Sequence, residues 1–172
     1  TIIDGDVVFK NLFNKSKNTF EMLGSFTSIA SNYTDLTSLL PNILGKSIPS
    51  VMDKFGTFNM TGTTEITSSN IDADLDIDTE IGYIIAKLAL QDVNDIDNAA
   101  YKGNVIFDEF LMGKLIDNEK IGEVSFNVYA DGKGFRPDNI NTLVEGTIYG
   151  LNYNDYYYTN VTLNGNLRDK IF

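Results

Sequence analysis

The residue types that carry much of enzyme chemistry are missing from this chain. Its 172 residues include no histidine, no cysteine and no tryptophan. A chain without histidine and cysteine forms neither a Ser-His-Asp nor a Cys-His nucleophile, and it lacks the usual nitrogen and sulfur ligands of zinc. The 24 acidic residues offer many carboxylate pairs for glycoside hydrolysis, but no pattern singles out two of them. We therefore expect a protein that is not an enzyme and that has no catalytic residue, no metal site and no cofactor.

Positive charge is also scarce. Thirteen Lys and Arg side chains stand against 24 Asp and Glu, which gives a net charge of −11, and arginine occurs only at Arg136 and Arg168. Binding of nucleic acid depends on Lys and Arg side chains that displace counterions from the phosphates. We therefore expect no nucleic-acid partner.

Long apolar runs and flexible linkers are absent too. The longest apolar stretches, such as residues 83–86, are far shorter than the ~20 residues that cross a bilayer. No Pro/Gly/Ser-rich linker or charge block divides the chain, so we expect residues 1–172 to form one unit. The chain begins at Thr1 rather than Met and ends on Ile171 and Phe172, two apolar residues typical of a strand interior. We therefore expect a fragment of a longer chain, with any membrane anchor outside these residues.

Apolar residues recur at every second position through much of the chain. From about residue 56 onward Thr, Val, Ile, Tyr and Phe dominate, and in residues 71–78 every odd position is apolar and every even one is aspartate. Strand side chains point alternately to opposite faces, so this pattern predicts half-buried antiparallel strands. Turn signals at residues 131–134 and 152–155 fall between such runs. We predict a mostly β protein, an antiparallel meander of short hairpins.

One segment breaks the strand pattern. Within residues 33–56, five apolar residues follow the i, i+3, i+4, i+7, i+8 spacing of one helical face: Leu36, Leu39, Leu40, Ile43 and Leu44. Asp35 or Thr34 can cap the start of this helix, Pro41 kinks or divides it, and a second short helix is expected over residues 49–55. We expect this helical insertion, about residues 34–55, to bury its leucines on the sheet and to plug or gate a groove there.

Two motifs allow either a binding role or a purely structural one. The four aspartates of residues 71–78 could hold Ca²⁺, but Ile77 stands where a calcium loop needs glycine and a straight strand spreads same-face residues ~7 Å apart. We interpret them as a solvated strand face. The tyrosine-rich residues 153–158 could stack on carbohydrate or lie at a membrane interface, whereas aromatics beside an Asn-Asp turn are also ordinary cross-strand pairs.

The apolar strand faces are compatible with two architectures, an open groove and a closed sandwich or barrel. A meander that is apolar on one side closes on itself, packs against helices or stays open as an apolar groove, and only some five turns of helix are available for roughly nine strands. Uncovered apolar area of that size marks a binding surface, and an acyl chain is the natural ligand of a gutter-shaped sheet. A closed sandwich or barrel with a filled interior is the alternative, and the residue pattern does not decide between them.

Five segments, taken together, resemble a known family. They are residues 33–49 (YTDLTSLLPNILGKSIP), 97–103 (DNAAYKG), 121–126 (IGEVSF), 131–135 (DGKGF) and 153–158 (YNDYYY). In this order and spacing, from about residue 28 to nearly the end, the chain resembles the translocation and assembly module subunits of the TamB family, within the wider AsmA-like superfamily. No single motif is catalytic or diagnostic, and their order carries the resemblance.

The resemblance implies an envelope protein with an inner-membrane helix and a long periplasmic rod of β-sheet, curved like a taco around an apolar-lined groove. Such proteins are associated with outer-membrane biogenesis, work with an outer-membrane barrel partner of the Omp85 type and are similar to bridge-like lipid transfer proteins. An older view gives them a role in inserting outer-membrane proteins. This chain would then be an interior, periplasmic fragment of the rod, belonging to an inner-membrane-anchored complex that spans toward the outer membrane.

Our leading hypothesis is a non-enzymatic segment whose groove shelters phospholipid acyl chains in transit between the inner and outer membrane. The expected lining consists of apolar positions on one strand face: Ile71, Ala73, Leu75, Ile77, Ile84, Ala86, Leu88, Leu90, Val124, Phe126 and Val128. One alternative is a scaffold that holds an outer-membrane barrel assembly machine or nascent strands by edge pairing. Another is a closed β module of a surface protein.

Overall fold

The structure is a computed structural model that describes residues 1–11, 19–39, 50–95, 97–136 and 138–168. Within these residues one sheet holds nine strands in chain order, each antiparallel to its neighbours. The strands are β1 (Ile2–Lys10), β2 (Glu21–Asn32), β3 (Thr57–Thr67), β4 (Ile71–Thr79), β5 (Gly82–Gln91), β6 (Ala100–Leu111), β7 (Ile121–Lys133), β8 (Asn141–Tyr153) and β9 (Tyr156–Arg168). The predicted fold class, a mostly β antiparallel meander in an open, groove-like sheet with a short helical insertion, is confirmed. The sheet is not closed, so the alternative of a closed sandwich or barrel is wrong.

The alternation of the sequence corresponds to the two faces of the sheet. In β4 the apolar residues are half-buried, whereas all four aspartates are exposed. The interpretation of these aspartates as a solvated strand face is therefore confirmed. Within the described part of the chain, no group of three or more acidic side chains is arranged to hold a metal ion.

Two turns illustrate how far local sequence determines the hairpins. Asn154 and Asp155 both have left-handed backbone angles, with φ of 53° and 64°, and join β8 to β9 as a two-residue turn. The turn predicted at residues 131–134 is wrong, because β7 continues to Lys133 and Gly132 pairs with Thr142 of β8. The chain leaves the sheet only at Gly134, whose φ of 75° favours glycine.

Short helical segments lie beside the sheet. Helix α1 (Tyr33–Leu39) begins directly after β2, and the side chain of Asn32 caps it by accepting a hydrogen bond from the N–H of Asp35 at 2.8 Å. The predicted caps, Asp35 or Thr34, were therefore placed two or three residues too late. A 3₁₀ helix (Ser50–Phe55) agrees with the second predicted helix. Helix α2 (Met112–Ile116), between β6 and β7, was not predicted.

The core lies at one end of the strands, between these helices and the sheet. Phe110 is completely buried, with its ring stacked on Phe107 at 4.4 Å between centroids and edge-on to Phe55 at 6.2 Å. Around it pack buried residues of several strands and of the segment before β5: Phe58, Ile81, Ile84, Ala86 and Val124. We call this set, with Phe55 and Phe110, the core cluster. Leu36 of α1 and Met52 of the 3₁₀ helix pack against it, so the helical segments close this end of the sheet.

Candidate functional site

The register of the sheet brings all the predicted lining residues to one face, which we call the apolar face. The four apolar residues of β4 lie directly opposite those of β5, as in the pair Ala73 and Leu88. Across β6 the same face continues through Val105 to Val128 and through Phe107 to Phe126. Residues directly opposite each other in an antiparallel pair share a face. The eleven predicted positions are thus neighbours in space as well as similar in pattern.

The apolar face extends beyond the predicted residues to every strand of the sheet. Register pairs link one apolar residue from each strand into a continuous row. This row consists of Ile3, Ile29, Met60, Ile77, Ile84, Phe107, Phe126, Ile148 and Val161. Apolar residues therefore cross the whole width of the sheet, perpendicular to the strands, and from β3 to β8 this row belongs to the core cluster or packs against it.

Burial divides the predicted lining residues into two groups. Ile84, Ala86 and Val124 are buried in the core cluster, where their neighbours are side chains of the protein itself. The other eight are half-buried. Five of these eight are not among the described residues that pack on the core cluster, and they are Ile71, Ala73, Leu75, Leu90 and Val128. These five form the candidate binding part of the apolar face.

The predicted plug is only partly described. Leu36 is half-buried and packs on the core cluster, so the expectation that the insertion buries a leucine on the sheet is met there. Leu39 is the last residue of α1. Leu40, Ile43 and Leu44 lie outside the described residues. The contact of Leu36 is at the helical end of the sheet, away from Leu75 and Leu90.

The opposite face, which carries the four aspartates of β4 and which we call the polar face, holds a depression of about 630 Å³ over strands β2–β7. Its floor is the main chain of Gly24, Thr64, Ala73, Leu88 and Gly103. On the apolar face the ring of Phe26 covers Gly24, and Leu88 Cδ2 lies 3.0 Å from where a Cβ on Gly103 would be. Residues on either side of the floor, whose side chains point to the polar face, complete the lining. The depression therefore opens on the polar face.

Ion pairs order the walls of this depression. Lys87 lies opposite Asp74, with 3.0 Å between Nζ and Oδ2, and Lys102 lies 2.9 Å from Asp131 Oδ2. The hydroxyl of Tyr129 donates to the same Asp131 oxygen at 3.1 Å, and Lys102 Nζ is 6.0 Å from the centre of the Tyr129 ring. The hydrogen bond between Lys102 and Asp131 raises the pKa of the Lys102 ammonium and lowers the pKa of the Asp131 carboxyl. This hydrogen bond therefore favours the charged forms of both Lys102 and Asp131.

The tyrosine-rich hairpin presents a further exposed surface. Tyr153 and Tyr156 are directly opposite each other, and the rings of Tyr156 and Tyr158 are 5.0 Å apart between centroids. All three side chains are exposed. Tyr153 and Tyr156 are therefore cross-strand neighbours, whereas the ring contact of Tyr156 is with a residue of its own strand.

Comparison of the chain with family models, curated proteins and solved structures finds no match. Among the described residues, no helix has both the length and the apolar character needed to cross a membrane.

Proposed function

We propose that this chain is a non-enzymatic segment of an envelope-biogenesis protein whose apolar face shelters phospholipid acyl chains. The observation that supports the proposal best is the apolar face, which crosses the nine described strands and on which Ile71, Leu75 and Leu90 lie outside the set of described residues that form or pack on the core cluster. Exposed contiguous apolar surface on a protein usually marks an interaction site. An acyl chain fits such a surface because it is long, narrow and wholly apolar.

The free energy of apolar transfer allows a ligand to be bound and still to move along the sheet. Transfer of each CH₂ group from water to an apolar surface contributes about 0.8 kcal/mol, and this contribution has no preferred direction. Half-buried residues such as Leu75 and Leu90 offer similar surroundings along the sheet. A chain can therefore slide from strand to strand without breaking any directional contact.

The resemblance to the TamB family supports the same function and extends it. It favours a periplasmic location within an inner-membrane-anchored protein, transport of phospholipid between the inner and outer membrane, and a role in outer-membrane protein assembly. It also favours an Omp85-type barrel partner, bound through regions outside these residues. The absence of histidine and cysteine fits a conduit whose side chains perform no chemistry.

Site-specific photo-crosslinking tests the proposal. Leu75 is a better position for the crosslinking side chain than Phe126, because Phe126 packs against Phe107 with 4.7 Å between ring centroids. Asp76 is the matched control, since it is adjacent in β4 and faces the polar side. We expect lipid adducts in cells from position 75 and none from position 76. Only protein adducts at position 75, or equal lipid adducts at both positions, would contradict the proposal.

The edges of the sheet favour a second candidate, an interaction scaffold that pairs with strands of another protein. Among the described residues, β1 and β9 each have a neighbouring strand on one side only, and Val8 and Val161 on them are exposed. Unpaired edges are templates for added strands. The same experiment separates the two candidates, because a scaffold gives protein adducts from Thr162 on β9 and no lipid adducts from position 75.

A further inference from the structure

The two edges of the described sheet differ in their protection against a further strand. β1 carries Asp4 and Asp6, both exposed, and its pairing with β2 shifts at Gly5. Charges and bulges of this kind discourage strand addition. Residues 161–167 of β9 follow Asn160, whose φ of 55° is left-handed, and they include no charged residue and no proline. Their pairing with β8 has no register shift, so this part of β9 is a regular strand edge without such protection.

Residues 161–167, which we call the pairing segment, have a pattern that is the same in both directions. The segment reads Val-Thr-Leu-Asn-Gly-Asn-Leu, and Asn164 is its centre. Positions equally far from the centre match in character: Val161 with Leu167, Thr162 with Asn166, and Leu163 with Gly165. The odd positions lie on the apolar face, since Val161 is opposite Ile148. An antiparallel copy of the segment would therefore place apolar residues opposite apolar ones and uncharged polar residues opposite polar ones.

The space beside Gly165 fits such a copy. A Cβ at Gly165 would meet no heavy atom within 4 Å apart from those of its chain neighbours, so the apolar face is uncovered there. In an antiparallel pair centred on Asn164, Leu163 of the second copy lies directly opposite Gly165. The exposed Val161 gains a neighbour in the same way. Association would therefore bury apolar surface and also pair main-chain groups at the edge.

Local charge does not oppose this pair, although each chain has a net charge of −11. The acidic residue beside the pairing segment is Glu145, directly opposite Asn164 on β8. In the pair, the two Glu145 residues would be three strand spacings apart, about 14 Å, which exceeds the ~8 Å screening length at physiological salt. Arg168, at the end of β9, would lie opposite Asn160. The same charge on both copies is therefore largely screened at this edge.

We propose that β9 pairs with β9 of a second copy of this chain, antiparallel and centred on Asn164. The interface uses the same segment of both copies, so association stops at two. It joins the two nine-stranded sheets into one and makes their apolar faces continuous across the twofold axis. A single pair of strands buries little surface, so the dimer is reversible and forms at micromolar concentrations.

Cysteine substitutions test the register, because the chain has no cysteine of its own. Residues directly opposite each other have Cα atoms about 4.5–5.5 Å apart, which a disulfide spans. We expect Asn164→Cys to form a covalent dimer under mild oxidation, since residue 164 lies opposite its own copy. Asn166→Cys is the matched control, also exposed and on the same face. Its two copies would lie about 14 Å apart in this register, so it should crosslink at least about tenfold less.

Sedimentation equilibrium measures the association itself. We expect the unmodified chain to dimerise reversibly and Asn164→Lys to dimerise at least about tenfold more weakly, because two ammonium groups would face each other. Asn164→Asp should weaken the dimer for the same reason. An equimolar mixture of these two variants should dimerise again, since opposite charges then meet. Asn59→Lys, at an exposed position on the interior strand β3, is the control and should dimerise as the unmodified chain does.

Several results would overturn the inference. One is an unmodified chain that stays monomeric up to millimolar concentration. Equal crosslinking of Asn164→Cys and Asn166→Cys, or a mixture of the two charged variants that stays monomeric, would show that the copies do not meet in this register. Crosslinks from Thr162 to other proteins only, together with a monomeric purified chain, would assign the edge to a foreign strand. Lipid adducts at position 75 are measured separately, so these results leave the proposed lipid binding unaffected.

Discussion

Thr64 places one polar atom on the apolar face. It lies on β3 directly opposite Gly24, and its hydroxyl oxygen is buried without a hydrogen-bond partner among the described residues. A buried polar atom that has lost water and gained no partner costs about 1–3 kcal/mol. The hydroxyl is therefore a net burden on the fold.

Replacement of this hydroxyl by a methyl group should stabilise the protein. We expect Thr64→Val, which keeps the shape of the side chain, to raise the free energy of unfolding by about 1 kcal/mol, measured by urea denaturation. Thr63→Val is the matched control, because Thr63 is the exposed neighbour on the polar face, and it should change the free energy by less than about 0.5 kcal/mol. A loss of stability in Thr64→Val would mean that the hydroxyl has a partner after all.

The β8–β9 hairpin carries the clearest prediction at the scale of an element. Its turn residues, Asn154 and Asp155, both have positive φ, and glycine adopts such angles without the steric cost that a Cβ imposes. We expect Asp155→Gly to be neutral or to stabilise the protein, and Asp155→Val to destabilise it by about 1–2 kcal/mol. Thermal unfolding of the two variants measures the difference. Equal melting temperatures would show that the turn does not hold the left-handed conformation.

Strand periodicity predicted the middle of the sheet well and its beginning poorly. In β4 half-buried apolar residues alternate strictly with exposed aspartates. In β5 and β7 apolar residues keep the same two-residue spacing on one face, although β5 also carries Ile85 and Ala89 on the other. Strand β2 escaped the pattern because a bulge between Phe26 and Ile29 displaces its alternation by a residue, and the pairing of β1 shifts at the same place. A bulge therefore interrupts the two-residue spacing of apolar positions by which a strand is recognised in the sequence, although the strand still pairs in the sheet.

The unpredicted helix α2 and the misplaced turn near Gly132 have a different cause. Both depend on contacts with residues of other strands, and the spacing of apolar residues within one segment does not contain that information. Leu111 donates its N–H to the carbonyl of Ile81 at 2.7 Å, a contact between positions far apart in the chain, just before α2 begins. Gly132 continues β7 because Thr142 lies opposite it. Tertiary pairing overrides local propensity at these two places.

At the scale of the whole molecule, the sequence was sufficient to predict which residues share a face but not what each face does. Period-two spacing assigns Leu75 and Leu88 to one side of their strands whatever the register. It does not show that Ala86 is enclosed by the core cluster, nor that Asp72 and Asn104 border one depression. Both facts arise from neighbours on other strands and become visible only in the assembled sheet.

The central claim is that the apolar face holds phospholipid, and the lipid content of the purified protein tests it most directly. Leu90 is half-buried outside the core cluster, and Gln91 is the exposed residue beside it, so Leu90→Glu and Gln91→Glu add the same charge on opposite faces of β5. Circular dichroism would verify that both variants keep the sheet. Mass spectrometry of extracted lipid should then find phospholipid bound to the unmodified protein and to Gln91→Glu, and at least about tenfold less bound to Leu90→Glu. A folded Leu90→Glu variant with undiminished phospholipid, or an unmodified protein without any, would contradict the claim.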